Sequence, residues 1–162
     1  MQSDDMHTEE QDNLLPFDTG LRLTDLPNCA EFPPSIVTRY TVTGVLLKSR
    51  QRRTVPISKQ IQVNGKDVIL WRLHDQVFAT SPICPHLAGN LSLGDLEDLG
   101  EIKGVCVTCP LHCWQFNVKT GECTNHKDNA TLTTYPTFID QDGRVYVQFD
   151  SFDSSLFSSQ DF

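Results

Sequence analysis

Apolar and polar positions alternate along this chain in short runs, and turn residues separate the runs. RYTVTGVLLK, residues 39–48, is short and β-branched and predicts the first strand. KQIQV and DVILWRL follow, divided by Asn64-Gly65-Lys66, and QVFATSP comes after His74-Asp75. An Asn-Gly pair between two such runs predicts a hairpin, because both residues tolerate positive φ. Three antiparallel strands therefore precede Cys84. Further on, CWQFNV alternates up to the turn Lys119-Thr120-Gly121-Glu122, and TLTTYPTFI and RVYVQFD flank Gln141-Asp142-Gly143, another hairpin signal. No window sustains a 3.6-residue period. LSLGDLEDLG has room for one helical turn at most, since two glycines interrupt it. The pattern predicts an all-β, antiparallel sandwich or small barrel, with residues 84–113 forming two loops at one end.

Composition adds boundaries. A chain of 162 residues makes one domain with a real core. Residues 1–37 are acidic at first and then rich in proline and asparagine; Pro27, Pro33 and Pro34 break regular structure, which predicts a tail and a strap. The domain proper is expected over residues 38–150, and residues 151–162, SFDSSLFSSQDF, as a loose C-terminal tail. No run of eighteen apolar residues exists, so no membrane span is expected. MQSDDMHTEEQDN lacks the features of a secretory signal or transit peptide. Six cysteines are too few and too clustered for a disulfide scaffold, so a reducing, cytoplasmic setting is expected.

The net charge of −8 argues against nucleic-acid binding, which needs a basic footprint. Asp4, Asp5, Glu9, Glu10, Asp12 and Asp18 read as a solvated tail. Lys48, Arg50, Arg52 and Arg53 read as a solvated loop in preference to a partner patch.

The chemistry lies in two boxes, Cys84-Pro85-His86 and Cys109-Pro110-Leu111-His112, with 22 residues between His86 and Cys109. Each offers one thiolate and one imidazole. Brought together by sheet pairing, they make a four-ligand site suited to zinc or an iron–sulfur centre, whereas hard cations prefer oxygen. A Cys2His2 zinc site, structural or for interaction, is compatible with the ligand types, although Cys-x-His in hairpin loops is unusual for zinc modules. Cys-x-His, a long gap and Cys-x-x-His is the pattern of a Rieske [2Fe–2S] centre. A Cys109–His112 nucleophile pair lacks an orienting third group and leaves the second box unused.

CPHLAGNLSLGD and CPLHCWQFNVKTGEC together resemble the soluble Rieske-type ferredoxins, and especially the small Rieske-domain proteins of animals, whose segment between the boxes is matched by Gly94-Asp95-Leu96-Glu97-Asp98. The resemblance spans about residues 38–150. It implies a β fold with a cluster-binding subdomain over about residues 84–116. It also implies Cys84 and Cys109 on one iron, and His86 and His112 on the other through Nδ1, leaving Nε2 at the surface. The implied role is single-electron transfer between a flavin-dependent or other ferredoxin reductase and an oxygenase or other acceptor, without a catalytic site of its own. Nothing after residue 116 supplies the two histidines and carboxylate of a mononuclear iron site.

Respiratory members of the family carry an extra cysteine in each loop, joined as a disulfide. Gly89 and Leu111 stand at those positions here, so no such bridge is expected. Trp114 and Phe116 stand where that branch supplies hydroxyls to the cluster sulfurs. Fewer donors place the potential toward the low end of the range, about −150 mV rather than +300 mV. Pro136 corresponds to a proline-bearing loop that in the family packs against the cluster. Cys106 reads as a small core residue and not as half of a redox pair with Cys109, and Cys113 as loop packing. Cys29 and Cys123 have no partner suggested by sequence. His7, His74 and His126 read as surface or turn residues, and Trp71 and Trp114 as one core residue and one shield over the loops.

Overall fold

The computed structural model of the chain describes residues 13–157. The acidic segment up to Asp12, with His7, and residues 158–162 lie outside the described residues. The expected all-β, antiparallel architecture is what the chain adopts. The first strand is β1 (Leu15–Arg22), earlier than expected. Within the segment read as tail and strap, Leu15, Phe17, Thr19 and Leu21 alternate with Pro16, Asp18, Gly20 and Arg22, and the former set turns inward. The alternation was masked by Pro16 and Gly20, which an edge strand tolerates. β1 pairs antiparallel with β12 (Arg144–Phe149), and β12 pairs in turn with β11 (Thr137–Ile139). Asp18, read as part of the solvated tail, receives a hydrogen bond from Arg144 at 2.9 Å.

The second layer is a four-stranded sheet in the order β10 (Thr134–Tyr135), β6 (Gln76–Thr80), β5 (Lys66–Leu73), β4 (Lys59–Val63). The two hairpins expected within this sheet form, as does the one at Gln141-Asp142-Gly143 between β11 and β12. Asn64 and Gly65 sit at φ 51° and 69° between β4 and β5, and His74 at φ 55° between β5 and β6. β5 is the centre of the fold because both of its faces are covered. Val68 and Leu70 face one apolar cluster with Val145, Val147 and Phe149, while Ile69, Trp71 and Leu73 face a second with Phe78. That is why DVILWRL is nearly continuous in apolar residues. Trp71 is fully buried and donates from Nε1 to the Thr80 hydroxyl at 3.1 Å.

The second apolar cluster joins this sheet to a smaller one, β7 (Asp95–Asp98), β8 (Val105–Thr108) and β9 (Gln115–Asn117). Leu91, Leu96, Val107 and Phe116 supply its half of the packing. The possible helical turn in LSLGDLEDLG is instead a 3-10 turn at Leu91–Leu93 followed by β7, because Asp95 to Asp98 pair with Thr108 to Val105.

RYTVTGVLLK forms no single strand. It bends at Gly44 (φ 80°) into a hairpin of β2 (Ile36–Tyr40) and β3 (Leu46–Arg50), a separate two-stranded sheet. The basic cluster at its base is not all solvated. Arg50 contacts Asp95 at 3.3 Å and Glu97 at 2.8 Å, and Arg53 contacts Asp95 at 2.6 Å. The start of the C-terminal tail is also ordered: Asn64 donates to the Ser151 carbonyl and accepts from the Asp153 amide, both at 2.9 Å. A left-handed asparagine at a hairpin tip can offer both ends of its amide in this way.

Candidate metal centre

Two turns of the same construction carry the four expected ligands. In the first, between β6 and β7, the Cys84 amide donates to the Gly89 carbonyl at 2.7 Å and the Ala88 amide donates back to the Cys84 carbonyl at 2.9 Å. In the second, between β8 and β9, the Cys109 amide donates to the Trp114 carbonyl at 2.9 Å and the Cys113 amide to the Cys109 carbonyl at 3.0 Å. Each cysteine is thus closed onto the residue five places later. The residue before that is left-handed in both turns, Ala88 at φ 56° and Cys113 at φ 58°. Such a conformation costs a non-glycine residue about 1 kcal/mol. Pro85 and Pro110 follow the cysteines, fixing φ and leaving no amide donor to satisfy. The turns differ in where the imidazole stands, two places after the first cysteine and three after the second.

Sulfur lies inside and nitrogen outside. Cys84 and Cys109 are buried in the apolar cluster that joins the two sheets, His86 is half-buried and His112 is exposed. Burial pushes the Cys84 thiol above its ordinary range. The His86 amide, donating to the sulfur, pulls it down, the adjacent Cys109 thiol pushes it up again, and the Leu87 amide pulls it down. Two buried thiols this close both ionise only when a cation takes up their charge. The imidazoles also form a pair, with ring centroids 5.4 Å apart and planes at 84°.

The donors therefore fall into a sulfur pair and a nitrogen pair. A single zinc ion needs all four donors within about 2.0–2.3 Å of one point. Among the described residues no three His, Cys, Asp or Glu side chains are gathered around one such point. A sulfur pair beside a nitrogen pair fits a [2Fe–2S] group of the Rieske type, in which each iron takes one pair.

Trp114 shields one side of the site. Its ring stacks on His86 at 3.8 Å with planes 10° apart, and on its other face lies His126 at 4.2 Å and 17°. Asn125 pins both neighbours of Trp114: its Nδ2 donates to the Cys113 carbonyl at 2.8 Å, and its Oδ1 accepts from the Gln115 amide at 2.9 Å. His126 is exposed, as expected, but it belongs to the site's surroundings, which its position twelve residues beyond Trp114 does not signal.

The other candidates fall away from the centre. His74 is confined to its hairpin turn. Cys106 is buried, as expected of a core residue, 3.3 Å from the Lys103 carbonyl. Cys113 does not pack; it is exposed, and its left-handed backbone shapes the second turn. Cys29 is buried and donates to the Ile57 carbonyl at 3.4 Å, and Cys123 is 3.7 Å from Asn125 Oδ1. Pro136 separates β10 from β11 and lines a groove with Asp75 and Phe78. Gly89 and Leu111, the positions of the absent disulfide, face each other across the two turns.

Comparison with known proteins gives a consistent picture. The profile of the Rieske [2Fe-2S] domain matches residues 45–136. The ferredoxin component of the naphthalene 1,2-dioxygenase/salicylate 5-hydroxylase systems of Ralstonia sp is 34% identical over 80 residues, 49% of this chain and 71% of that protein. Cholesterol 7-desaturase nvd of Xenopus laevis is 33% identical over 90 residues, 51% of this chain but 18% of the desaturase. The chain thus spans less than a fifth of the desaturase's length. Among solved structures, the ferredoxin of carbazole 1,9a-dioxygenase from Nocardioides aromaticivorans IC177 superposes with a TM-score of 0.55 at 21% identity, covering 82% of this chain and 95% of that one. At that identity the likeness concerns the fold. No helix among the described residues is long and apolar enough to cross a membrane.

Proposed function

The chain belongs to the Rieske [2Fe-2S] domain family, whose cofactor is the [2Fe–2S] cluster and whose chemistry is electron transfer, and from this premise we propose that it shuttles single electrons between a flavin-dependent or other reductase and an oxygenase or other acceptor. Cys84 and Cys109 would hold one iron and His86 and His112 the other. The observation that carries this reading is the pair of equivalent turns, which set two thiols side by side in the core and two imidazoles side by side toward solvent.

When bound, the cluster supplies reversible one-electron chemistry. The protein does the rest. The His86 and Leu87 amides donate to the Cys84 sulfur and stabilise negative charge there, in the absence of the hydroxyls that Trp114 and Phe116 replace. The apolar cluster beneath the thiols keeps water from the inner face. Trp114 covers the His86 ring, and Ile83, Leu87 and Leu111, on or beside the two ligand turns, are exposed apolar side chains. His112, exposed at the end of the second turn, is the edge through which a partner touches the centre.

Iron and acid-labile sulfide analysis of anaerobically purified protein tests the cofactor assignment, with two of each per chain expected. One zinc and no sulfide overturns it. His86→Cys or His112→Cys is expected to lower the reduction potential in protein that retains its cluster, because a thiolate adds negative charge. An unchanged potential contradicts the ligand assignment. The likeness to the desaturases favours a second reading, in which the same centre feeds an oxygen-activating site within one enzyme system. Stoichiometric co-purification of the chain with an oxygen-activating subunit decides for that reading; free exchange of the reduced chain among separate acceptors decides for the carrier.

A further inference from the structure

The β2–β3 hairpin stands beside the metal centre and carries a charge opposite to that of the molecule as a whole. The chain has 13 lysines and arginines against 21 aspartates and glutamates. Yet from Phe32 to Lys66 there is no acidic residue, and seven of the basic ones fall there: Arg39, Lys48, Arg50, Arg52, Arg53, Lys59 and Lys66. Arg50 and Arg53 are committed to Asp95 and Glu97 of β7, which fixes the base of the arm against the cluster-binding sheet. Arg39, Lys48 and Arg52 are exposed and enter no ion pair among the described residues.

Register decides which way the arm faces. Tyr40 lies opposite Leu46, Thr38 opposite Lys48 and Ile36 opposite Arg50, so these six share one face. It is the face from which Arg50 reaches Asp95. Lys48, Arg52 and the second ligand turn, through Cys109, Leu111 and Cys113, line one cleft of about 420 Å³. Further along the same face of the hairpin, Tyr40 (75% exposed) and Leu46 (45%) present bare apolar surface. A two-stranded sheet with this much bare apolar side chain is marginal by itself and gains from a partner.

We propose that the arm is a docking element for an electron-transfer partner with an acidic surface: the partner's carboxylates meet Lys48 and Arg52, its apolar rim covers Tyr40 and Leu46, and the cleft guides it onto the second ligand turn. This rests on the electron-carrier reading above. Charge complementarity favours an acidic protein over an anionic bilayer, because the basic residues line a cleft shared with the ligand turn, and a flat surface would meet only the hairpin tip. Opposite charge at the site of exchange raises encounter rates, and salt removes the effect.

The test compares the wild-type chain with the double variant Lys48→Glu, Arg52→Glu, altered only at exposed positions that enter no ion pair among the described residues. The reduced protein is mixed with ferricyanide, an anionic one-electron oxidant, and separately with cationic hexaammineruthenium(III). For the wild type the ferricyanide rate is expected to fall as salt is added, against the sign of the net charge; in the variant it is expected to be lower by about tenfold at low salt and to rise with salt. Calorimetry with poly-L-glutamate, which needs no cluster, is expected to show binding by the wild type and none by the variant. A ferricyanide rate that rises with salt in both proteins overturns the proposal. So does binding to phosphatidylserine vesicles, abolished by Tyr40→Ser with Val42→Ser, in a protein that does not bind polyglutamate. Protein that purifies without iron or sulfide refutes the carrier reading instead, and the calorimetry then decides on the docking arm alone.

Discussion

Leu111 fills the space beside Gly89: a Cβ built on Gly89 would lie 2.7 Å from Leu111 Cδ1 and 3.5 Å from Cys109 Sγ. The two ligand turns are therefore clamped by an apolar contact at the place where respiratory relatives have a disulfide. Gly89 has no positive φ, so a side chain there meets crowding and not backbone strain. Gly89→Val alone is expected to push the turns apart and reduce the iron content of purified protein. Gly89→Cys with Leu111→Cys is expected to close a disulfide, since a Cβ at Gly89 already lies 3.4 Å from Leu111 Cγ and a disulfide joins Cβ atoms about 4 Å apart. Intact mass and a count of free thiols after air oxidation check this.

Asp95 is the joint between the arm and the cluster-binding sheet. Its side chain is 10% exposed and faces two guanidinium groups. Asp95→Ala leaves Arg53 without a counter-charge and Arg50 with Glu97 alone, and is expected to cost about 3 kcal/mol of stability. Asp18, at the exposed pair with Arg144, makes the control, and Asp18→Ala is expected to leave the urea midpoint unchanged. Equal effects of the two substitutions would show that the arm is not anchored through Asp95.

Trp114 is held on both faces and at both flanks, which suits a fixed cover better than a mobile one. Trp114→Ala is expected to let water reach the His86 side and to speed loss of visible absorbance in air severalfold, with Trp114→Phe retaining most of the protection. His126→Ala removes only the outer ring and is expected to have a smaller effect. Bleaching curves of the three variants under one oxygen tension provide the comparison.

Cys29 gives a pH signature. Burial raises its thiol from the ordinary 9.0 to about 11, against the opposing Arg72 amide and Arg53 charge. The folded chain therefore holds this proton more tightly than the unfolded one. The stabilisation is complete below pH 9 and is lost as pH rises through 11, by about 2 kcal/mol. Urea unfolding at pH 8 and pH 10.5 is expected to show a steeper loss in the wild type than in Cys29→Ala, and parallel losses would refute the assignment.

Local signals are legible where the physics is local. Asn64-Gly65 and His74 turn the chain because those residues accept positive φ, whatever surrounds them. The Cys-Pro-His and Cys-Pro-Leu-His boxes were visible because soft donors at short spacing are rare in any other context. β1 was hidden, since its partner β12 lies more than 120 residues away and Pro16 and Gly20 interrupt the pattern; the hydrogen bond from the Thr19 hydroxyl to the Val145 carbonyl at 2.7 Å has no trace in the neighbourhood of Thr19. The basic run 48–53 looked solvated because its counter-charges, Asp95 and Glu97, arrive from a strand about 45 residues on.

The sequence alone determined the period-two patterning, the turns and the donor chemistry, because backbone preference and ligand type are properties of residues and of their near neighbours. Only the tertiary structure decided that the two cysteine turns close in the same way, that Trp114 lies between His86 and His126, and that the basic hairpin stands against the ligand loop. Those relations follow from which faces of β5 and β8 are buried and against what, and burial is shared among segments far apart in the chain.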